Sequence, residues 1–210
     1  NERKLVSRVF IQALLIGLQN LFTRTAVFAI FLETLSASEL PTIYIVAGLI
    51  LPIFGTTFSR YAKTHSSLKA YRLSLALTIC MLVGMRFSLD VLESSYLSIV
   101  ALPIFYLITF RLLSMSLWGT ANAVFTLRQS KRLYGLITAG DKFTTLIAGL
   151  LVPSLLPIIG TENLLFLSIV TMISAFFNQS QILKAGSIQE EEEEEKRAEQ
   201  AAVSAGLSED

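Results

Sequence analysis

Six long apolar blocks dominate this chain, at approximately residues 9–32, 41–58, 70–88, 95–122, 133–159 and 163–183. A helix that crosses a bilayer needs ~20 predominantly apolar residues, because each residue rises ~1.5 Å through a hydrocarbon layer ~30 Å thick. Each block is close to that length. The helices of a soluble bundle would show a polar face on every turn, and these blocks do not. The chain has 210 residues, 53% of them hydrophobic, and a mean hydropathy of +0.62, which is too apolar for an ordinary soluble domain of this size. The expected fold is therefore all-α: a polytopic membrane protein with six transmembrane helices over residues 1–185.

Charge orders the blocks. Residues 1–189 hold 15 Lys/Arg against 7 Asp/Glu, and residues 190–210 hold 2 against 9. Cytoplasmic loops favour Lys and Arg. Arg3, Lys4 and Arg8 precede the first block; Arg60, Lys63, Lys69 and Arg72 separate the second from the third. Arg128, Lys131 and Arg132 separate the fourth from the fifth, and Lys184 follows the sixth. The intervening loops carry Glu33, Glu39, Asp90, Glu93 and Glu162, with no Lys or Arg. This alternation predicts both termini in the cytoplasm, as for a bacterial inner (plasma) membrane protein. Arg86 is spaced to pair with Asp90 at i, i+4. Residues 186–210 include the unbroken run Glu190–Glu195 and read as an acidic cytoplasmic linker or tail, expected to be disordered.

Breaks and small residues add detail. Ser36–Pro41 reads as a turn and a fresh helix start, with Pro tolerated in the first turn. Pro153 and Pro157 are expected to kink the outer half of the fifth span, where neighbours re-satisfy the freed backbone groups. Gly135 and Ala139 form a small-residue pair suited to close helix approach. Cys80 and His65 are each the sole residue of their type, so neither an intrachain disulfide nor a histidine cluster is possible. No metal cluster, phosphate loop or nucleophile–base arrangement is visible, so the expectation is a protein that is not an enzyme, with no cofactor and no nucleic-acid partner.

Ionisable groups at membrane depth are costly and mark functional positions. In the first span Gln12, Gln19 and Thr23 share a face, with Asn20 and Arg24 flanking it. That strip fits either a cavity lining or a hydrogen-bonded seam between helices. In the fourth span Arg111, Ser114, Trp118 and Asn122 share a face; Arg111 is suited to holding an anion, and Trp118 to stacking or to marking the membrane interface. Gln19, Asn20, Arg24, Arg111, Trp118 and Asn122 are the candidate substrate-binding residues. Asp141 and Lys142 are candidate ion or charge-pair residues.

Six helices with polar inner faces and cytoplasmic ends resemble one half of a major-facilitator transporter. The run Gly55-Thr-Thr-Phe-Ser59-Arg60-Tyr-Ala62-Lys63 is similar to that superfamily's loop motif, with Ser59 where the motif has an acid. The run Trp118-x-x-Ala121-Asn122, followed nine residues on by Lys131-Arg132-Leu133-Tyr134, resembles the nucleotide transporter family of ATP/ADP antiporters. Asn20 and the Thr23-Arg24 pair are similar to that family's first helix. Val27-Phe28 stands where the family has Lys-Asp, Ala123 where it has an acid, and Gln129-Ser130 where it has Glu-Ala. The resemblance implies the N-terminal six-helix half of a transporter for a small organic anion, such as a nucleotide, with the lipid bilayer and a second six-helix half or homodimer partner around it. The alternative is a membrane-anchored sensory or interaction module whose soluble partner domains lie outside this chain.

Overall fold

The computed structural model describes residues 2–64, 67–91, 95–125 and 127–206, with the side chains at 1–3, 64–68, 126–133, 136, 137, 141, 148 and 186–210 outside the description. His65 and Glu93 therefore lie outside the described residues, as do the side chains of Arg3, Arg128, Lys131, Arg132 and Asp141. Among the described residues the chain is all helical: α1 (Glu2–Thr34), a 3-10 turn (Ala37–Glu39), α2 (Leu40–Thr64), α3 (Ser67–Val91), α4 (Tyr96–Val124), α5 (Leu127–Ile159) and α6 (Leu164–Gly206). Five helices are long and apolar enough to cross a membrane: Lys4–Thr34, Ala37–Lys63, Lys69–Val91, Tyr96–Val124 and Leu164–Ala185. Two pieces of α5, Thr138–Ile147 and Gly149–Ile159, bent by 44°, form a further apolar pair that is either a broken span or a re-entrant loop. Pro153 and Pro157 lie in the second piece, on the outer side of the bend. Pro153 has no N–H to give the carbonyl of Gly149, and its ring crowds that carbonyl.

The helix ends follow local chemistry. Ser36 Oγ accepts from the Ser38 amide and opens the turn that leads into α2, with Pro41 in the first turn. Ser95 Oγ accepts from the Ser98 amide at the start of α4. Gly160 takes φ +78, a conformation open to glycine, and its amide closes α5 on the Leu156 carbonyl at 2.9 Å.

Packing distinguishes two central helices. α1 packs on α4, α5 and α6, while α4 packs on α1, α2 and α3. α3 also lies along α6. Exchanging α1 with α4, α2 with α5 and α3 with α6 maps every extensive contact onto another. The α1–α6 contact becomes α4–α3, α1–α5 becomes α4–α2, and the α1–α4 and α3–α6 contacts map onto themselves.

The two ends of the bundle differ in charge. Arg8 donates to Gln181 across α1 and α6, and the Arg72 guanidinium lies 4.8 Å from the Phe176 ring centroid. This is the basic end. At the opposite, acidic end Arg86 bridges Asp90 at 2.5 Å, as its spacing predicts, and Glu162 at 3.9 Å. It also sits over the Phe166 ring at 5.0 Å.

The structure adds detail to three expectations. Beyond Ala185, where an acidic linker or tail is expected, the backbone of α6 runs on as helix to Gly206. Its Ala, Glu, Gln, Lys and Arg residues favour helix even though the apolar pattern has ended. Glu192–Lys196 and Glu193–Arg197 have the helpful i, i+4 order. The close approach expected at Gly135 occurs instead at Gly140, where an added Cβ would lie 2.9 Å from the Phe10 ring; nothing lies within 4 Å of the same point on Gly135. Gly17 plays the matching part on α1, with Thr144 Cβ at 3.1 Å. The polar strip of α1 is mostly a seam. Gln12, Gln19 and Thr23 are buried. Asn178 of α6 donates to Gln12 Oε1 at 2.8 Å, and Gln19 donates to Thr23 at 2.9 Å. Gln179 of α6 donates to Thr120 of α4 at 2.9 Å, so a hydrogen-bonded layer joins α1, α4 and α6.

Candidate functional site

The two arginines expected at membrane depth both remain accessible. Arg24 on α1 and Arg111 on α4 are exposed, although α1 and α4 form the centre of the bundle. Among the described residues neither makes an ion pair. Inserting an arginine at the middle of a span costs ~2.5–3.5 kcal/mol on insertion scales, so such a side chain faces water, protein or an anion in preference to lipid.

Their depths nearly coincide. Phe28 of α1 meets the Tyr106 ring of α4 edge to face, with centroids 5.8 Å apart. α1 and α4 run antiparallel, so Arg24 lies one turn from this contact toward the basic end, and Arg111 lies five residues from it in the same direction. At ~1.5 Å per residue these offsets are ~6 and ~7.5 Å. The Tyr106 ring also tilts against Phe110, with centroids 6.3 Å apart.

Residues on a helix turn by ~100° each, so Phe110, Ser114, Trp118 and Arg111 occupy a ~100° arc of α4 that starts beside the Tyr106–α1 contact. Phe110 and Arg111 are exposed on this arc, and Ser114 and Trp118 are half-buried. On α1, Asn20 is half-buried one turn below Arg24. These residues line a cleft walled by α1 and α4, with α2 beside α4 and α5 beside α1. The flanks are apolar and open: Ile45, Leu49 and Ile53 of α2 and Leu146, Leu150 and Ile158 of α5 are all exposed.

The cleft's basic end is fastened by the motif residues. Trp118 packs edge to face on Tyr134 of α5, with centroids 5.2 Å apart, and the Tyr134 hydroxyl donates to Asn122 Oδ1. Trp118 and Asn122 thus meet through a third residue, in a place where α4 and α5 otherwise barely touch. Gly119 of the same run gives room on the opposite side of α4, since a Cβ there would lie 2.1 Å from Tyr71 Cζ.

Arg24 and Asn20 on α1 and Arg111, Trp118 and Asn122 on α4 are thus exposed or half-buried on the two central helices. The structure does not bring Gln19 into the cleft, because that side chain is 1% exposed in the seam. Gly140 on Phe10 and Thr144 on Gly17 set the backbone at Asp141 more than ~10 Å along α1 from Arg24, nearer the basic end. Lys142 is exposed on α5 at that level. Phe28, Tyr106 and Phe110, packed together beside the two arginines, are not among the charged and amide candidates of the sequence. Their signal is aromatic: Phe110 directly precedes Arg111, Tyr106 lies one turn before Phe110, and Phe28 follows Arg24 by one turn. The donors available on these faces are guanidinium, hydroxyl and amide, with aromatic rings beside them, groups able to hydrogen-bond an oxyanion. No protein family, no curated protein and no solved structure matches the chain.

Proposed function

We propose that this chain is one six-helix half of an alternating-access membrane transporter of the major-facilitator type, carrying a small organic anion. The observation that carries the proposal is the pair of exposed arginines at one depth on α1 and α4, the two helices exchanged by the repeat-like packing. Three helices are an odd number of crossings, so a repeat of α1–α3 in α4–α6 is inverted in the membrane, the arrangement that half-transporters use to build a central site. The apolar flanks on α2 and α5 suit a second bundle that closes the cleft. Nucleotides are the first solutes to test, given the Trp118–Tyr134 run. The basic end faces the cytoplasm in this reading.

The test is binding by the purified chain in nanodiscs, using labelled nucleoside phosphates, dicarboxylates, monocarboxylates and organic cations, followed by uptake into proteoliposomes. The expected result is anion-selective binding that Arg24→Gln and Arg111→Gln each weaken at least ~10-fold, equivalent to ~1.4 kcal/mol. Absence of anion binding, or binding indifferent to both substitutions, removes the proposal. A second reading draws on the unbroken helix from Leu164 to Gly206. A stiff acidic rod leaving the membrane suits a sensory or interaction module, and under it the two arginine substitutions leave all ligand binding unchanged.

A further inference from the structure

A groove between α3 and α4 opens on the side of the bundle away from the arginine cleft. Its volume is about 510 Å³, and its walls include Leu77, Cys80 and Gly84 of α3 and Leu97, Ala101 and Phe105 of α4. The positions on α4 decide which way it faces. Ser98, Ala101 and Phe105 lie ~80–140° round the helix from Tyr106, in the opposite sense from Phe110, Ser114 and Arg111. A second bundle seated on the cleft therefore leaves this groove free. α3 and α4 are both membrane-crossing helices, so hydrocarbon is what surrounds it.

The groove's length and polarity narrow the occupant further. Along α3 it runs from Leu77 to Ser88, a rise of ~16 Å, which is half of the ~30 Å hydrocarbon layer. It ends near the acidic end of the bundle, where Ser88 and Ser98 are the hydroxyl-bearing wall residues. The rest of the wall is aliphatic, aromatic or sulfur-bearing, and Leu77, Cys80, Leu97 and Phe105 are exposed on its rim. Small residues hold it open: no atom lies within 4 Å of the position a Cβ would take on Gly84.

We infer that the α3–α4 groove binds one acyl chain of a phospholipid from the leaflet at the acidic end, with the headgroup beyond Ser88 and Ser98. The chain lies along Gly84 and Ala101, buries the exposed faces of Leu77 and Phe105, and covers the Cys80 thiol. Its gain comes from filling a cleft with dispersion contacts, because transfer from lipid to an apolar wall carries no hydrophobic driving force of its own.

The experiment uses the full chain in phosphatidylcholine vesicles doped with a phospholipid that bears a photoreactive diazirine midway along one acyl chain. Crosslinked peptides are then mapped by mass spectrometry. Crosslinks should concentrate at residues 77–88 and 97–105, several-fold above the equally exposed faces of α2 and α6. Gly84→Trp places an indole in the groove from a position whose Cβ meets no atom within 4 Å, and should cut the groove crosslinks at least ~5-fold while those on α2 and α6 stay constant. Ala101→Leu narrows the groove from the other helix and should act in the same direction. Crosslinks spread evenly over all exposed faces, or groove crosslinks unchanged in folded Gly84→Trp and Ala101→Leu, overturn the inference. Both variants keep Arg24 and Arg111, so anion binding is expected to be unaltered and the two proposals fail independently.

Discussion

Single residues in this chain are constrained from two sides, by the cleft and by the packing behind it. Gly119 shows the second constraint. It sits within the run Trp118–Asn122, whose Trp and Asn face α5, yet its own small size serves α3. The Tyr71 ring lies where a Cβ would be. That ring packs on Phe58, with centroids 6.4 Å apart, and the Tyr71 carbonyl accepts from Ser116 Oγ at 3.2 Å. Gly119→Ala is expected to push the ring aside, loosen the α3–α4 contact and cost ~1–3 kcal/mol, the usual range for overpacking. The readout is the thermal unfolding midpoint of purified protein, compared with Gly135→Ala, where the space is open. Equal midpoints for the two variants would show that Tyr71 relaxes freely. Tyr71 and Gly119 are far apart in sequence, so this dependence was not legible there, whereas the charge cost of Arg24 and Arg111 was.

At the scale of the element, each apolar block in the sequence became one helix, and the acidic and basic turns fell where the charge alternation puts them. Helix facing was much harder to read. Leu75 and Leu82 are fully buried, while Leu97 and Leu150 are 76% and 72% exposed. In water the same residue type would report its own burial. In lipid an outward leucine costs nothing, so periodicity loses its meaning and only polar residues mark a face. That is why Arg111, Ser114 and Trp118 could be placed on one accessible side, while the aromatic cluster of Phe28, Tyr106 and Phe110 could not. The backbone helix beyond Ala185 shows the converse: hydropathy ends there, but helix preference does not. The bend in α5 is testable. Pro153→Ala restores a donor for the Gly149 carbonyl and should straighten the helix from its 44° break. Spin labels at Lys142→Cys and Ile158→Cys in a Cys80→Ser background should move apart from ~22 to ~24 Å, the chord expected for sixteen residues of bent and straight helix. An unchanged distance would assign the bend to the α1–α5 contact at Gly17 and Thr144 instead.

At the scale of the whole molecule, the number of crossings decides how the cleft is built. A bent pair such as α5 can be a broken span or a loop that re-enters on its own side, and the two give opposite sides for everything that follows. The packing favours a crossing. α5 starts beside Phe10 through Gly140, at the end where Arg8 meets Gln181. It finishes where Glu162, just beyond it, approaches Arg86 at 3.9 Å, at the end that also holds Asp90. The prediction is therefore a parity test. Single cysteines at Glu39, Lys63, Glu162 and Lys184, each in a Cys80→Ser background, are labelled in sealed vesicles with a maleimide that cannot cross the bilayer. Glu39→Cys and Glu162→Cys should react from one side, Lys63→Cys and Lys184→Cys from the other. Labelling of Glu162→Cys together with Lys63→Cys, and of Lys184→Cys together with Glu39→Cys, would make α5 re-entrant. The relation of α1–α3 to α4–α6 would then be lost, because α5 could no longer stand opposite α2, and the two arginines would no longer belong to equivalent helices. Six crossings keep α1–α3 and α4–α6 related as inverted copies, with Arg24 and Arg111 on the corresponding helices α1 and α4.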